Sequence, residues 1–435
     1  FDLGIPTDML VHLACQAEYG TGVRAGSLDQ ATEQKGKAGQ GALISSNPRD
    51  NYRIIATYPV PTDSIALIFP YSVERDREAW RWSWDAYAET SGTGRPTTGE
   101  MRKMTGKAAE IAALLIKLPL DVDFFKRIEE DLVTDGLLNR ESRSWICSVL
   151  RALPLLATQD ELRERARANF DWYVGELMEC SRLTRPEAIR KAENTIASAF
   201  AGWHDPVLRR TTATGHVVEE KGVPLRAMVA YLFGEVAKNF YLIHHPDQWI
   251  EYVTRSQMGD RGFEIDPERL PQREAMEREL EWEQGLAGPE LLNCWLERHG
   301  ARPFDFNRGL DDASLSPENP PEFHHLEGSS FFRGLALIDL AEAMLKRAFG
   351  ENAIAVRVNA AGQGDYFQVH IDKRSASVED VERFIRLAFY RRFGIGPDPE
   401  FVTCHPGGGA AGVRLSRYDL VPQLIRTLRA LAPGA

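Results

Sequence analysis

The chain has 435 residues, 43% of them hydrophobic and 26% charged, which is enough for two or more domains and a large core. Its formal net charge of −11 excludes a nucleic-acid binder driven by phosphate neutralisation, which needs clustered Lys and Arg. No apolar run reaches the roughly 18 residues of a membrane span and no signal peptide is visible, so a cytoplasmic protein is expected, with no membrane partner. Cys15, Cys147, Cys180, Cys294 and Cys404 are scattered without a CxxC pair, which points to reduced thiols rather than a zinc site or a disulfide framework. His244-His245 and His324-His325 are adjacent pairs without an acidic ligand motif around them; neighbouring histidines rarely aim at one ion, so no metal site is expected.

In chain order, a helical run from Asp8 to Tyr19 leads into the glycine-punctuated stretch Gly22-Val-Arg-Ala-Gly-Ser-Leu-Asp-Gln30. A second helix follows, and then the short strand Gly41–Ile44. Arg53–Tyr58 and Ser64–Phe69 have strand composition and are separated by a Pro-containing break. From about 98 to 300 the pattern is mainly helical. Met104–Leu118 has helical spacing, Thr184-Arg-Pro-Glu187 opens a capped helix, and Glu274–Leu286 reads as an acidic, solvated one. Pro303–Pro321 reads as a long loop.

The last part changes character. Leu335–Phe349 is an amphipathic helix ending at Gly350, and Ala353–Val358 and Tyr366–Ile371 are strands bracketing the small-residue turn Asn359–Gly364. Ser377 caps a helix running to about Phe393. Phe401–Cys404 and Gly412–Leu415 are strands around Pro406–Gly409, and a final helix ends near Ala432. The pattern predicts an α+β fold in three sections: 1–97, mixed; 98–325, mainly helical; and 326–435, an antiparallel sheet with helices.

One carboxylate stands out. Asp29, presented by a tight turn between helices, suits a group that must meet a substrate hydroxyl at fixed distance. The same position, followed by Gln-Ala-Thr-Glu, is also good N-capping chemistry. Gly26 can bring a backbone amide to a ligand or simply turn the chain. Trp80, Trp82 and Trp84 alternate; such rings stack on sugar faces or anchor a core, and Trp82 is the candidate for substrate contact.

The order of these pieces resembles the substrate-side catalytic segment of galactokinase-type GHMP sugar kinases: a helix with Glu, then Gly-x-x-Cys-Gly-x-x-Asp-Gln, then a Gly-rich link into a strand. Glu18, Gly22, Gly26, Asp29 and Gln30 fit that pattern, and Ala25 stands at the usual Cys. The C-terminal order is also similar. Val356–Gly364 sits at the family's Gly-rich third motif and Phe401–Ala410 at its terminal strand and loop. Together the two ends cover roughly 150 residues. The resemblance implies a two-lobe GHMP fold with an incomplete N-terminal lobe and a long helical insertion, in a chain that begins mid-fold. It implies ATP- and Mg²⁺-dependent phosphorylation of a monosaccharide hydroxyl, with Asp29 as the substrate-side acid/base and Gly362 and Gly364 in the cofactor-side floor.

The departures are specific. Asn359, Ala360 and Ala361 replace the start of the glycine run, and Asp365 places an acid where phosphates would lie. The family's first motif and its Ser-rich phosphate loop have no counterpart, so the ATP-binding part is expected in a separate segment or chain. The alternative is a non-catalytic relative that senses sugar or acts as a scaffold.

Overall fold

The computed structural model describes residues 5–20, 27–45, 50–60, 65–71, 108–122, 126–200, 207–211, 216–258, 309–318, 336–358, 367–390 and 400–404, with a few further positions between and after them. These residues are mostly helical with small sheets, an α+β arrangement. The chain forms two compact units, one from Phe1–Ile65, Leu242–Trp249 and Cys404–Ala435, the other from Ala66–Tyr241 and Ile250–Thr403. Among the described residues no helix is long and apolar enough to cross a membrane.

In the first unit, α1 (Thr7–Gly20) and α2 (Leu28–Lys35) precede an antiparallel pair, β1 (Gln40–Ile44) and β2 (Ile54–Pro59). Val11 and Cys15, one helical turn apart, share a face and pack with Ala31, Tyr52 and Ile44. Gly41 faces Tyr58 across the pair, and the Tyr58 ring occupies the space a Cβ at Gly41 would take. The register shifts between Leu43 and Ile44, as at a bulge. Between the strands, Asn51 and Tyr52 are both left-handed, with φ of 53° and 49°. Such a conformation is costly for an aromatic residue and persists only where its surroundings hold it.

The second unit is the helical one. A helix over 108–115 (α3) is followed by α4 (Lys126–Asp135), α5 (Arg140–Ala152), α6 (Gln159–Ala168), α7 (Phe170–Ser181) and α8 (Arg185–Ala199). The starts are fixed by side chains. Asn139 accepts from Ser142 N at 2.8 Å, and Thr158 N–H donates to Glu161 at 2.7 Å. Thr184 donates through its N–H and its hydroxyl to Glu187, at 2.9 and 2.5 Å, so the Thr-Arg-Pro-Glu signal marks a true helix start.

Next comes α9 (Leu225–His244), whose first turns, Leu225 and Ala227–Ala230, are buried all round. A stretch buried on every side belongs inside the core. Trp145 of α5 meets Phe233 of α9 edge to face at 5.9 Å. The hairpin β4 (Val207–Thr211) and β5 (Val217–Lys221) interrupts the mainly helical section expected over 98–300. Its β-branched residues, Val207, Thr211, Val217 and Val218, are better suited to a pleated surface than to a helix. α10 (Trp249–Met258) and the two-residue pair β6 (Phe263–Glu264) and β7 (Arg302–Pro303) follow.

A four-stranded sheet has the order β10 (Glu400–Cys404), β3 (Ile65–Tyr71), β9 (Phe367–Asp372), β8 (Ile354–Val358). β8 and β9 are antiparallel, pairing Ile354 with Ile371 and Val356 with Val369, and α11 (Ala336–Phe349) packs on β8. β3 thus joins strands from the other end of the chain. Gly350, at φ +106°, ends α11 and donates to Lys346 O at 2.8 Å. Ser377 accepts from Asp380 N at 3.0 Å and opens α12 (Val378–Phe384), which continues as a wider π-type turn to Tyr390. Of the expected loop Pro303–Pro321, Pro303 belongs to β7, and residues 309–318 are described and carry no helix or strand. The strand over 412–415 and most of Glu274–Leu286 lie outside the described residues.

Buried Arg226 holds that loop in place. Its guanidinium donates to Leu153 O at 2.9 Å, Leu310 O at 2.7 Å, Asp312 Oδ1 at 2.7 Å and Arg151 O at 3.3 Å. Hydrogen bonds from a charged donor each contribute more than neutral ones, and loss of the donor strands buried carbonyls. Arg226→Met is expected to cost about 3 kcal/mol in urea unfolding and to open residues 309–318 to proteases. Wild-type stability in the variant would contradict the clamp.

Asp372 gives a pH signature. The Arg374 side chain donates to it at 2.8–3.2 Å and the Arg374 N–H at 3.0 Å, and these contacts hold its carboxyl below the usual carboxylate range. Because the folded pKa is depressed, the stabilisation is present above the unfolded value, about 4, and is lost as pH falls through the folded one. The stability advantage of wild type over Asp372→Asn should therefore shrink on acidification below about pH 4. An advantage constant with pH would refute the assignment.

Candidate functional site

Asp29 lies in the first turn of α2, one residue inside the helix rather than on the loop, and Ser27 occupies the N-cap position. This corrects the reading of Asp29 as the cap. An acid in the first turn still complements the positive end of the helix dipole. The side chain is exposed and has no hydrogen bond or ion pair among the described residues.

The helix that carries it is tied down on both sides. At its start, Gln30 Nε2 donates to Glu18 Oε2 in the last turns of α1. At its end, Lys35 Nζ donates to Asn51 O and Tyr52 O, each at 2.7 Å, and pairs with Asp8 Oδ1 at 2.5 Å. Lys35 therefore satisfies the carbonyls of the two left-handed residues. Tyr52 in turn reaches back to α1, its hydroxyl 3.4 Å from His12 Nδ1. Glu18 and Gln30, matched in the sequence pattern at twelve residues' separation, are brought into direct contact. Lys35, Asp8 and the Asn51-Tyr52 turn carried no sequence signal beyond a lysine in the last turn of a helix.

Beneath α2, Cys15 is buried, and burial, with a smaller contribution from the Glu18 charge, pushes its thiol up. Such a cysteine is an inert core residue and not a nucleophile. Cys147, Cys180 and Cys404 are also free thiols. Gly408 lies near the C-terminal end of α2, the end away from Asp29: a Cβ built on it would lie 3.9 Å from Ala38 N. The Asp29 segment and residues from Cys404 onward belong to one compact unit, whereas Val356–Gly364 belongs to the other.

Gly26, Trp82, Gly362 and Gly364 lie outside the described residues, as do Trp80, Trp84, Asp365 and His324-His325. Among the described residues there is no group of three His, Cys, Asp or Glu side chains that could hold a metal ion. They also include no glycine-rich helix start that could cradle a triphosphate. The described residues therefore do not by themselves fit Mg²⁺ and ATP. No family model, curated protein or solved structure matches the chain.

Proposed function

We propose that this chain is the substrate-side part of a GHMP-type, galactokinase-like sugar kinase that phosphorylates a monosaccharide hydroxyl, most simply the anomeric one. The observation that carries the reading is the state of Asp29. Its helix is anchored by Glu18 and Lys35, yet its own carboxylate is exposed and uncommitted. A purely structural acid has no need of such anchoring. A group that must meet a reacting hydroxyl gains from it, because a fixed approach removes orientational entropy from the barrier.

In this reading Asp29 accepts a hydrogen bond from the attacking hydroxyl and takes its proton as the oxygen becomes nucleophilic. The resemblance implies ATP with Mg²⁺ as the phosphoryl donor, which would supply the group that the hydroxyl accepts.

A second reading rests on Asn359–Ala361, which replace the start of the family's glycine run, and on Asp365, which adds an acid beside the expected phosphates. It is a non-catalytic relative that binds sugar and has lost phosphoryl transfer. One experiment separates the two: ATP consumption by the full-length protein over a panel of free monosaccharides, beside direct sugar binding by calorimetry. Sugar-dependent turnover supports the kinase, and sugar binding without turnover supports the sensor. Neither binding nor turnover with any sugar would overturn both.

A further inference from the structure

We infer that Glu18 and Lys35 are positioning residues that set where the Asp29 carboxylate stands, a proposal that rests on the kinase reading above. The argument begins with how little else holds α2. It has only eight residues, far below the roughly 12–15 at which an isolated helix becomes even marginal in water. Ala31 is its single buried residue, at 1% exposure. Leu28, which might have pinned the first turn, is 64% exposed. Ser27 at the N-cap makes no side-chain capping bond. Apolar burial within α2 is therefore confined to one side chain.

Polar contacts take over at both ends. The Gln30–Glu18 bond ties the residue next to Asp29 to α1. Lys35, 13% exposed along its side chain, locks the last turn to the carbonyls of Asn51 and Tyr52 and to Asp8. Because a lysine ammonium has three donors, all are used here: two carbonyls and one carboxylate. Loss of the first contact frees the turn that carries Asp29, whereas loss of the second frees the whole helix against the β1–β2 connection. Neither residue needs to touch substrate to affect the reaction. A displacement of about 1 Å at a reacting group can cost about 100-fold in rate.

The test uses the full-length protein with Glu18→Ala, Glu18→Gln and Lys35→Met. Glu18→Ala should lower kcat by about 10- to 100-fold while the sugar KM stays close to wild type. Glu18→Gln keeps an oxygen that accepts from Gln30 and should recover most of the loss. Hydrogen exchange of the amides from Ala31 to Lys35 should quicken about tenfold in Glu18→Ala and return in Glu18→Gln. Lys35→Met should give the same quickening, which keeps the comparison available if Glu18→Ala does not fold. If wild type turns over no sugar, the kinase reading fails, and the exchange rates alone decide whether Glu18 and Lys35 hold α2. The proposal is overturned by unchanged exchange in Glu18→Ala and Lys35→Met, by a raised KM with kcat intact, or by a Gln variant as impaired as the Ala variant.

Discussion

Replacing Lys346 by Met is expected to destabilise the helical unit by about 3–5 kcal/mol. Lys346 lies in α11 with its side chain 7% exposed, and Glu342, one turn earlier, is fully buried. Its ammonium donates to Thr254 Oγ1 at 3.0 Å and to Glu351 O at 3.2 Å. It also lies 3.5 Å from Glu351 Oε2 and 4.0 Å from Glu342 Oε1. One side chain therefore neutralises a buried acid, ties α11 to α10 and closes the turn after Gly350.

Met fills much the same volume, so the expected loss is electrostatic rather than a cavity. Removing one partner of a buried pair leaves the other charge desolvated, which costs far more than the pair contributes net. The check is a double-mutant cycle by urea unfolding. Lys346→Met combined with Glu342→Leu should recover part of the single loss, because the buried acid that faces Lys346 is removed with it. Additive losses in the double variant would show that the two residues do not act as a pair.

How much of this was legible in the sequence depends on the range of the signal. Thr184 with Glu187, Gly350 and Ser377 announced helix ends correctly, because a cap is decided by residues within one turn. The strands at Ile354–Val358 and Phe367–Asp372 were legible for the same reason: apolar, β-branched residues flanking a small-residue turn. The placement of β3 beside β9 and β10 was not, since strand pairing between residues some 300 apart leaves no local trace. The β4–β5 hairpin was hidden by its charged residues, Arg209, Arg210, Glu219 and Glu220, which do not break a helical reading.

The candidate site divides in the same way. Asp29 stands out as a carboxylate after a glycine-punctuated turn, and Glu18 and Gln30 only through the resemblance to the family pattern. That Ser27 rather than Asp29 takes the cap position could not be read from the sequence, because both are capping residue types two positions apart. Lys35 was invisible for a physical reason. Its partners are main-chain carbonyls of Asn51 and Tyr52, and a carbonyl acceptor has no side-chain signature in the sequence. Its importance emerges only once the left-handed turn is seen to need a donor.

The exposed, uncommitted carboxylate of Asp29 is the centre of the account, and the substitution Asp29→Asn tests it most directly. Asn keeps the size and nearly the helix position but cannot accept a proton. A positioned general base is worth about 10²- to 10⁴-fold in rate. Single-turnover phosphorylation of the best sugar by full-length wild type and Asp29→Asn, both at saturating sugar, should differ by that factor, with sugar binding changed little. Equal rates in the two proteins would contradict the assignment of Asp29 as the group that takes the sugar proton.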